Sequence, residues 1–180
     1  MKKISFRQLK IEDLPLVCLW LNKSHVKKWY GNTSVVTLDN IRKKLLPRIQ
    51  GEEAVFCYLI LLDEKPIGYI QWYDAWAFPR EGYHLDELKG ELCDFSTLAA
   101  LDLYIGEENL IGQGIGSIAI RQFVHEVIYQ EGYEACYADP ELDNFLSVNA
   151  FKKAGFKALR TIKTENNILL QAMTISKNTG

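Results

Sequence analysis

Residues 99–124 read AALDLYIGEENLIGQGIGSIAIRQFV, and this stretch indicates how the chain folds. An apolar, strand-like run ends at Ile105, and an apolar stripe at helical spacing begins at Ile120. The sequence IGQGIG, residues 111–116, lies between them. Glycines let a backbone turn sharply and approach a ligand closely, and the start of a helix attracts anions. The stretch therefore predicts a strand and a helix joined by either a phosphate-binding loop or a plain tight turn.

The glycine spacing matches neither of two common phosphate-binding motifs. No Gly-Lys-Ser/Thr follows the first glycine, as a P-loop requires, and G-x-G-x-G differs from the dinucleotide motif G-x-G-x-x-G. Both of those nucleotide-binding classes are therefore excluded at this turn.

Composition narrows the class of protein. The chain has 180 residues, of which 48% are hydrophobic, enough for one compact core, so we expect a single domain over residues 1–180. A formal charge of -2 gives no basic field of the kind that attracts nucleic acid. No apolar run approaches the roughly 20 residues that span a bilayer, and the residues after Met1-Lys2-Lys3 do not form the apolar region of a signal peptide. We expect a cytoplasmic protein that binds neither nucleic acid nor membrane.

The cysteines and histidines point away from a metal centre. The four cysteines are scattered without a C-x-x-C pair, which favours free thiols over a zinc site or a disulfide framework. The three histidines suggest neither a metal site nor a catalytic triad. We therefore expect no metal. The residues concerned are Cys18, Cys57, Cys93, Cys136, His25, His84 and His125.

Periodicity predicts the elements around the central stretch and, from their order, a mixed sheet with helices on both faces. The predicted strands are Ile4–Leu9, Ala54–Leu62, Ile67–Tyr73, the run ending at Ile105, Ala135–Ala138 and two strands flanking Glu165–Asn167. Four helices are predicted. The first carries Leu16, Leu19 and Trp20 on one face, and the second follows a Thr37 cap and carries Leu38, Ile41, Leu45 and Leu46. The third carries Ile120, Phe123, Val124, Val127 and Ile128, and the fourth covers residues 144–154 and stops at Gly155.

Acidic residues concentrate in one segment. Between Glu81 and Glu108 the chain has eight acidic residues and a single basic one, Lys89. This segment is either a solvated acidic loop or a binding surface for a polycation.

The glycine stretch resembles the acyl-CoA-binding motif of the GNAT N-acetyltransferase superfamily, [Q/R]-x-x-G-x-[G/A] between a strand and a helix. Gly114 and Gly116 match its second half, whereas Ile111 stands at the leading Gln/Arg position. An asparagine before an A-G-F sequence, here Asn144 and residues 154–156, is also typical of the family. The resemblance covers nearly the whole chain and implies the GNAT fold, an α/β (mixed α+β) fold with a mostly antiparallel central sheet and helices on both faces.

Four further blocks look like those of the aminoglycoside 6'-N-acetyltransferases: WLNKSHVKKWYG at 20–31, PIGYIQ at 66–71, Leu101-Asp102, and Asp139-Pro140. This resemblance implies acetyl transfer from acetyl-CoA to an amine of an aminoglycoside, a polycationic antibiotic, and hence drug resistance. The siderophore-type lysine N-acyltransferases share the tryptophan block and the hairpin. An acyltransferase that acts on a siderophore precursor or a polyamine is therefore the alternative, and a noncatalytic acyl-CoA sensor is a third.

Asp102 is the predicted catalytic residue. It is a lone carboxylate in an apolar strand, which is unusual, and the alternative is a carboxylate on a solvated sheet face. The resemblance implies that it accepts the proton of the substrate ammonium. Many family members have a tyrosine where this chain has Phe151, which cannot donate a proton to the departing thiolate. Another group, solvent or the product ammonium would then serve.

The remaining site residues also follow from the resemblance. Expected cofactor contacts are Leu103, Tyr104, Ile105, Gln113, Gly114, Ile115, Gly116, Ser117, Asn144 and Phe151; expected substrate contacts are Trp29, Tyr30, Gln71, Tyr73, Asp102 and Asp139. For the aromatic residues among them, a place in the core is the alternative.

Overall fold

The computed structural model describes residues 3–30, 34–78, 85–92 and 95–177, without the side chains of 86, 87 and 89. Its strands are β1 (Ile4–Gln8), β2 (Val55–Leu62), β3 (Lys65–Asp74), β4 (Leu98–Ile105), β5 (Ala135–Ala138), β6 (Lys157–Lys163) and β7 (Leu169–Ser176). Its helices are α1 (Leu14–Leu21), α2 (Ser24–Lys27), α3 (Leu38–Ile49), α4 (Lys89–Leu92), α5 (Ile115–Phe123), which continues into a π-helical turn (Val124–Ile128), and α6 (Phe145–Ala154).

The seven strands form one sheet in the order β1-β2-β3-β4-β5-β7-β6. Strands β4 and β5 pair in parallel over Leu98–Ala100, whereas β1 with β2, β5 with β7, and β6 with β7 are antiparallel. The predicted mixed fold with a mostly antiparallel sheet is confirmed.

The chain divides into two compact units. Unit 1 comprises Met1–Trp72 and Asp102–Ile115, and unit 2 comprises Tyr73–Leu101 and Gly116–Gly180. Strands β3 and β4 and helix α5 contribute residues to both. The single domain over 1–180 stays a prediction.

Unit 1 is built from α1, α3 and the first strands, with α1 against α3 and α3 against β2. Helix α3 begins as predicted, because the Thr37 hydroxyl accepts a hydrogen bond from the Asn40 amide. The β2–β3 turn places Asp63 at φ 48° and Glu64 at φ 68°, the left-handed pair of a two-residue hairpin. The predicted hairpin is confirmed.

The predicted buried face of α1 is wrong at Leu19, whose side chain is 58% exposed. The helix buries Leu14, Val17 and Trp20 instead. Val17 lies at the centre of the buried face, about 60° around the helix axis from both Leu14 and Trp20, whereas Leu19 lies about 160° from Val17 and points away from that face.

Unit 2 holds an apolar cluster that the sequence did not indicate. The structure forms helical turns over Leu85–Leu92, within the segment predicted to be either a solvated acidic loop or a polycation-binding surface, because leucines at helical spacing are buried there. The cluster comprises Ala75, Leu85, Leu88, Leu92, Leu98, Ala100, Ala135, Tyr137, Ile162 and Ala172. Other residues of the acidic segment, Glu81 and Asp94 among them, lie outside the described residues, as do His84 and Cys93.

Helix α6 ends as predicted. Gly155 adopts φ 107°, a left-handed conformation that suits glycine, and the helix stops there. Its Asn144 side chain accepts from the Ser147 amide at the other end.

Cys18, Cys57 and Cys136 are free thiols, as predicted. No helix in the described ranges has the length and apolar character that crossing a membrane requires.

Strands β3 and β4 lie unusually close at Gly68. A Cβ built at this position would stand 2.4 Å from the Tyr104 carbonyl oxygen, a backbone atom that cannot rotate away. This contact lies two residues from Asp102 along β4 and three from Gln71 along β3.

We expect Gly68→Ala to destabilise the fold by about 1–3 kcal/mol, because the added methyl group forces the two strands apart. Urea denaturation followed by circular dichroism measures the change. Gly90→Ala is the matched control, since a Cβ at Gly90 meets no heavy atom within 4 Å. Equal stability of the two variants would contradict the close approach of the strands.

Candidate functional site

Asp102 is anchored by one side chain. Gln71 Nε2, on β3, donates a 3.0 Å hydrogen bond to Asp102 Oδ2, on β4. Both side chains are half-buried. Of the predicted substrate contacts, the structure thus brings Gln71 into direct contact with the predicted catalytic carboxylate.

The other end of the Gln71 amide accepts two hydrogen bonds. Arg48 Nη1 donates to Gln71 Oε1 at 3.0 Å, and the Tyr69 hydroxyl donates to the same oxygen at 2.7 Å. Tyr69 precedes Gln71 by two residues on β3, so both side chains leave the same face of the strand. Asp102 is therefore one end of a polar network that reaches back to the end of α3.

The turn after α3 places Arg48 beside its ionic partner. The amides of Glu52 and Glu53 both donate to the Pro47 carbonyl, which folds the chain back on the last turn of α3. Arg48 Nη2 then donates to Glu53 Oε1 at 2.9 Å. Burial is the largest single influence on the pKa of Arg48 and lowers it, but the hydrogen bond to Glu53 and the charge interactions with Tyr69, Glu53 and Cys57 together outweigh burial, and the pKa is raised. Arg48 is thus a permanent cation.

Two tyrosines and a cysteine complete the buried side of the network. The Tyr69 hydroxyl lies 3.0 Å from Cys57 Sγ, and its ring stacks on that of Tyr104 with centroids 5.4 Å apart. Burial raises the pKa of Cys57, and it raises the pKa values of Tyr69 and Tyr104 well above the ordinary tyrosine range. All three groups therefore stay protonated and neutral at physiological pH.

The turn that follows β4 is held by α1 and α2. Trp20 Nε1 donates to Glu107 Oε1 at 2.8 Å, and Lys23 Nζ binds both Glu107 Oε2 at 3.0 Å and the Gly106 carbonyl at 2.9 Å. The hydrogen bond from Trp20, and then that from Lys23, lower the pKa of Glu107. A Cβ on Gly106 would stand 2.3 Å from the Trp20 ring, so only glycine fits beneath it.

One carbonyl of the predicted cofactor-binding strand is already engaged. His25 Nε2 lies 3.2 Å from the Ile105 oxygen, and because a carbonyl only accepts, Nε2 carries the proton. Leu103 and Ile105 are half-buried and Tyr104 is buried. Residues 102–105 lie beyond the β4–β5 register, which covers Leu98–Ala100.

The glycine loop has the conformation of a sharp turn into a helix. Gly112 and Gly114 adopt φ 77° and 78°, which other residues rarely tolerate, and α5 begins at Ile115. Gln113 Nε2 donates to the Asn109 carbonyl at 2.7 Å within the loop. This geometry agrees with both readings of the glycines, a tight turn and an anion cradle, because the start of α5 carries a partial positive charge.

The two predicted aromatic substrate contacts of unit 1 differ in their surroundings. The Tyr30 ring meets the Tyr104 ring edge-on, with centroids 5.1 Å apart. Trp29 is half-buried, and Lys28 Nζ lies 4.3 Å from its ring centroid. One face of the Trp29 ring is therefore occupied by the Lys28 ammonium group.

In unit 2, several predicted site residues pack in the core or cap a helix. Tyr73 is half-buried beside the apolar cluster and meets Phe78 edge-on, and Phe151 is 3% exposed and packs on Phe156. Asn144 caps α6, and Asp139 is half-buried directly after β5. Ser117 and Gly116 lie in the first turn of α5, where a Cβ built at Gly116 would stand 3.9 Å from Ala150 Cβ, an ordinary contact distance. The ligand contacts expected of these residues stay predictions.

Sequence reasoning missed Arg48, Glu53 and Tyr69. Tyr69 could have been found from alternation, because it shares a strand face with Gln71. Arg48 and Glu53 carry no such signal, since their pairing depends on how the chain turns after Pro47. Across the described ranges, no three His, Cys, Asp or Glu side chains are grouped so as to hold a metal ion.

Comparison with known proteins places the chain in a family. The family model described as "Acetyltransferase (GNAT) domain" matches residues 10–164. An aminoglycoside N(6')-acetyltransferase type 1 from Klebsiella pneumoniae is 26% identical over 162 residues, which cover 89% of this chain and 77% of that protein. Another, from Serratia marcescens, matches to the same extent.

Solved structures share the fold. The aminoglycoside acetyltransferase AAC(6')-Ib, crystallised with coenzyme A and kanamycin, superposes with a TM-score of 0.82 at 24% identity and covers 98% of this chain and 96% of its own. An aminoglycoside N(6')-acetyltransferase from Legionella pneumophila gives a TM-score of 0.74 at 20% identity, covering 98% of this chain and 93% of its own. Since the family model spans most of its length, this chain belongs to the acetyltransferase (GNAT) domain family.

Proposed function

We propose that the protein is an aminoglycoside 6'-N-acetyltransferase, which moves an acetyl group from acetyl-CoA to a primary amine of an aminoglycoside antibiotic and so confers resistance. The observation that carries this proposal is the Asp102 carboxylate, held by Gln71 on adjacent strands of a GNAT fold. The curated relatives, which bear the name of this activity, support the choice of substrate.

Asp102 would take the proton from the substrate. At neutral pH the amine is an ammonium ion, and it must lose a proton before its nitrogen can attack the thioester carbonyl carbon. Asp102 accepts that proton, the new C–N bond forms, and the C–S bond breaks with coenzyme A leaving as a thiolate. A half-buried carboxylate also attracts the ammonium group to this place before the reaction.

The acetyl-CoA would bind along β4 and the glycine loop. The backbone of Leu103, Tyr104 and Ile105 extends beyond the β4–β5 register and can pair with the pantetheine arm as an added strand would. An amide of Leu103 or Tyr104 would polarise the thioester carbonyl. Because His25 engages the Ile105 carbonyl, the amides of this segment are the better candidates for that pairing. Gln113–Ser117 would bind the pyrophosphate at the start of α5.

The departing thiolate would take its proton from water or from the product ammonium. Phe151 lacks a proton to give and is packed in the core. Tyr137 is fully buried, and Tyr104 is buried with a raised pKa. None of these three is a better donor than solvent.

A polycation fits the substrate end of the site better than a singly charged amine does. Trp29 stays a candidate contact although Lys28 already lies on one face of its ring, Tyr30 lies against Tyr104 in the strand that carries Asp102, and Asp102 supplies a negative charge. Gln71, Tyr73 and Asp139 are further candidates for contacts to the antibiotic. The acidic excess between Glu81 and Glu108 adds attraction for several ammonium groups.

A cytoplasmic location fits this proposal. The described cysteines are free thiols, which is typical of a reducing compartment.

A panel of amines separates the candidate functions. We expect the purified protein, mixed with acetyl-CoA, to release thiol with kanamycin and to give 6'-acetylated kanamycin by mass spectrometry and NMR. Spermidine tests the polyamine alternative, and N-hydroxylysine tests the siderophore alternative. Thiol release with N-hydroxylysine alone would refute the aminoglycoside assignment, and acetyl-CoA binding without thiol release from any amine would favour a sensor.

Asp102→Asn tests whether Asp102 accepts the proton of the substrate ammonium group. The asparagine oxygen can still accept the hydrogen bond from Gln71, whereas its amide cannot take a proton, so we expect kcat to fall about 100-fold or more. Acetyl-CoA binding, measured by calorimetry, should not change. Asp63→Asn is the matched control, because Asp63 lies in the exposed β2–β3 turn at a positive φ that asparagine tolerates. Full activity of Asp102→Asn would disprove the assigned role.

A further inference from the structure

Arg48 is a half-buried cation with two directed contacts. Its side chain is 13% exposed, and its guanidinium bridges Glu53 Oε1 and Gln71 Oε1 at 2.9 and 3.0 Å. Within the described ranges its Nε–H is buried and has no hydrogen-bond partner. The two contacts join the end of α3 to the strand that carries Gln71.

The guanidinium favours the same orientation of the Gln71 amide that the Asp102 carboxylate requires, and it holds the amide from its other end. An amide side chain has one accepting and one donating end, and the two are nearly equal in shape. A guanidinium can only donate, so Arg48 must face the Oε1 end. The Nε2 end then faces Asp102, where it donates to the carboxylate. In the opposite orientation Nε2 would face the Arg48 donor and Oε1 would face a carboxylate oxygen, and both contacts would be repulsive.

The Tyr69 hydroxyl does not by itself impose this orientation. A hydroxyl both donates and accepts, so Tyr69 could bind either end of the amide. Its present bond to Gln71 Oε1 follows the orientation that Arg48 imposes.

We propose that Arg48 is a positioning residue, which fixes the Gln71 amide so that Nε2 donates to Asp102 Oδ2 and the carboxylate keeps one orientation for the substrate amine. In the described part of the chain no side chain donates to Oδ1, and this oxygen is the one that would meet the substrate ammonium group. Arg48 acts through Gln71 and has no contact of its own with Asp102 in this arrangement.

The burial of Arg48 is better explained by this role than by stability. Burying a charge and leaving an N–H without a partner both cost free energy, and apolar replacements of buried ion pairs are often neutral or stabilising. An apolar side chain at the end of α3 would avoid the cost of the unpaired Nε–H. What it could not do is distinguish the two ends of the Gln71 amide.

The first test is a double-mutant cycle, and it depends on the proposed function because it needs an amine that the wild-type protein acetylates. We expect Arg48→Met to lower kcat about tenfold with little change in the KM for acetyl-CoA, since a misplaced reacting group slows the chemical step. In a Gln71→Leu background the same substitution should lower kcat no further. Independent, multiplicative losses of kcat would overturn the proposal.

Arg7→Met is the matched control for the loss of stability that the removal of an ion pair from unit 1 can cause. Arg7 also makes a two-pronged ion pair in unit 1, with Asp13 at 2.8 and 2.9 Å, and it belongs to no part of the proposed site. We expect its loss to leave kcat unchanged. A fall in kcat in Arg7→Met equal to that in Arg48→Met would show that general loosening of the unit, rather than the Gln71 amide, lowers the rate.

The second test does not depend on catalysis. The side-chain Nε2 proton resonances of Gln71, assigned by comparison with Gln71→Leu, report directly on the amide and can be followed in the ligand-free protein. We expect them to move in Arg48→Met and to stay in place in Arg7→Met. Unmoved resonances in Arg48→Met would overturn the proposal even if kcat falls. If the wild-type protein acetylates no amine, the proposed function fails while this measurement still decides the role of Arg48.

Arg48→Lys replaces Arg48→Met in these tests if Arg48→Met does not fold. Lysine also can only donate, so it keeps a donor for Gln71 Oε1, although it lacks the planar fork that reaches Glu53 and Gln71 together. We expect a kcat severalfold below that of the wild type but above that of Gln71→Leu. A kcat as low as that of Gln71→Leu would refute the positioning role.

Discussion

The hydrogen bond from Gln71 to Asp102 is the interaction on which the proposed chemistry depends. It joins two adjacent strands, and it sets the orientation of the one carboxylate that the apolar strand β4 carries. An amide can make this bond only with its Nε2 end forward, so whatever orients the amide also orients the carboxylate. In unit 1 that condition is met by an obligate donor, Arg48, held in place by Glu53.

The surrounding core supports this bond through close backbone contacts. Gly68 lets β3 approach the Tyr104 carbonyl, and Gly106 lets the chain pass beneath the fully buried Trp20. The Trp20 indole and the Lys23 ammonium then hold Glu107, which fixes the turn that leads to the glycine loop. The segment from Asp102 to Glu107 is thus held by contacts that tolerate little change.

Much of the fold could be predicted from the sequence, because its elements have strong local signals. The Thr37 cap, the β2–β3 hairpin and the end of α6 at Gly155 are confirmed, although β3 begins at Lys65 and the turn is only two residues long, Asp63 and Glu64, where four residues are predicted. Leu19 is predicted on the wrong face of α1, because a helix of eight residues is too short to define its phase. The helical turns of 85–92 are missed, because short helices within a polar segment have weak periodicity. Among the site residues, too, some could be predicted from the sequence and others could not. Asp102 stands out as an acid in an apolar strand, whereas Arg48 looks like an ordinary residue near a helix end and gains its role only from tertiary contacts.

The most direct test of a substrate site centred on Asp102 is a crystal structure of the protein with coenzyme A and kanamycin. We predict that the 6' amine nitrogen lies within hydrogen-bond distance of Asp102 Oδ1, while Gln71 Nε2 still donates to Oδ2. An antibiotic bound with its 6' amine away from Asp102, or a carboxylate turned away from Gln71, would contradict that prediction.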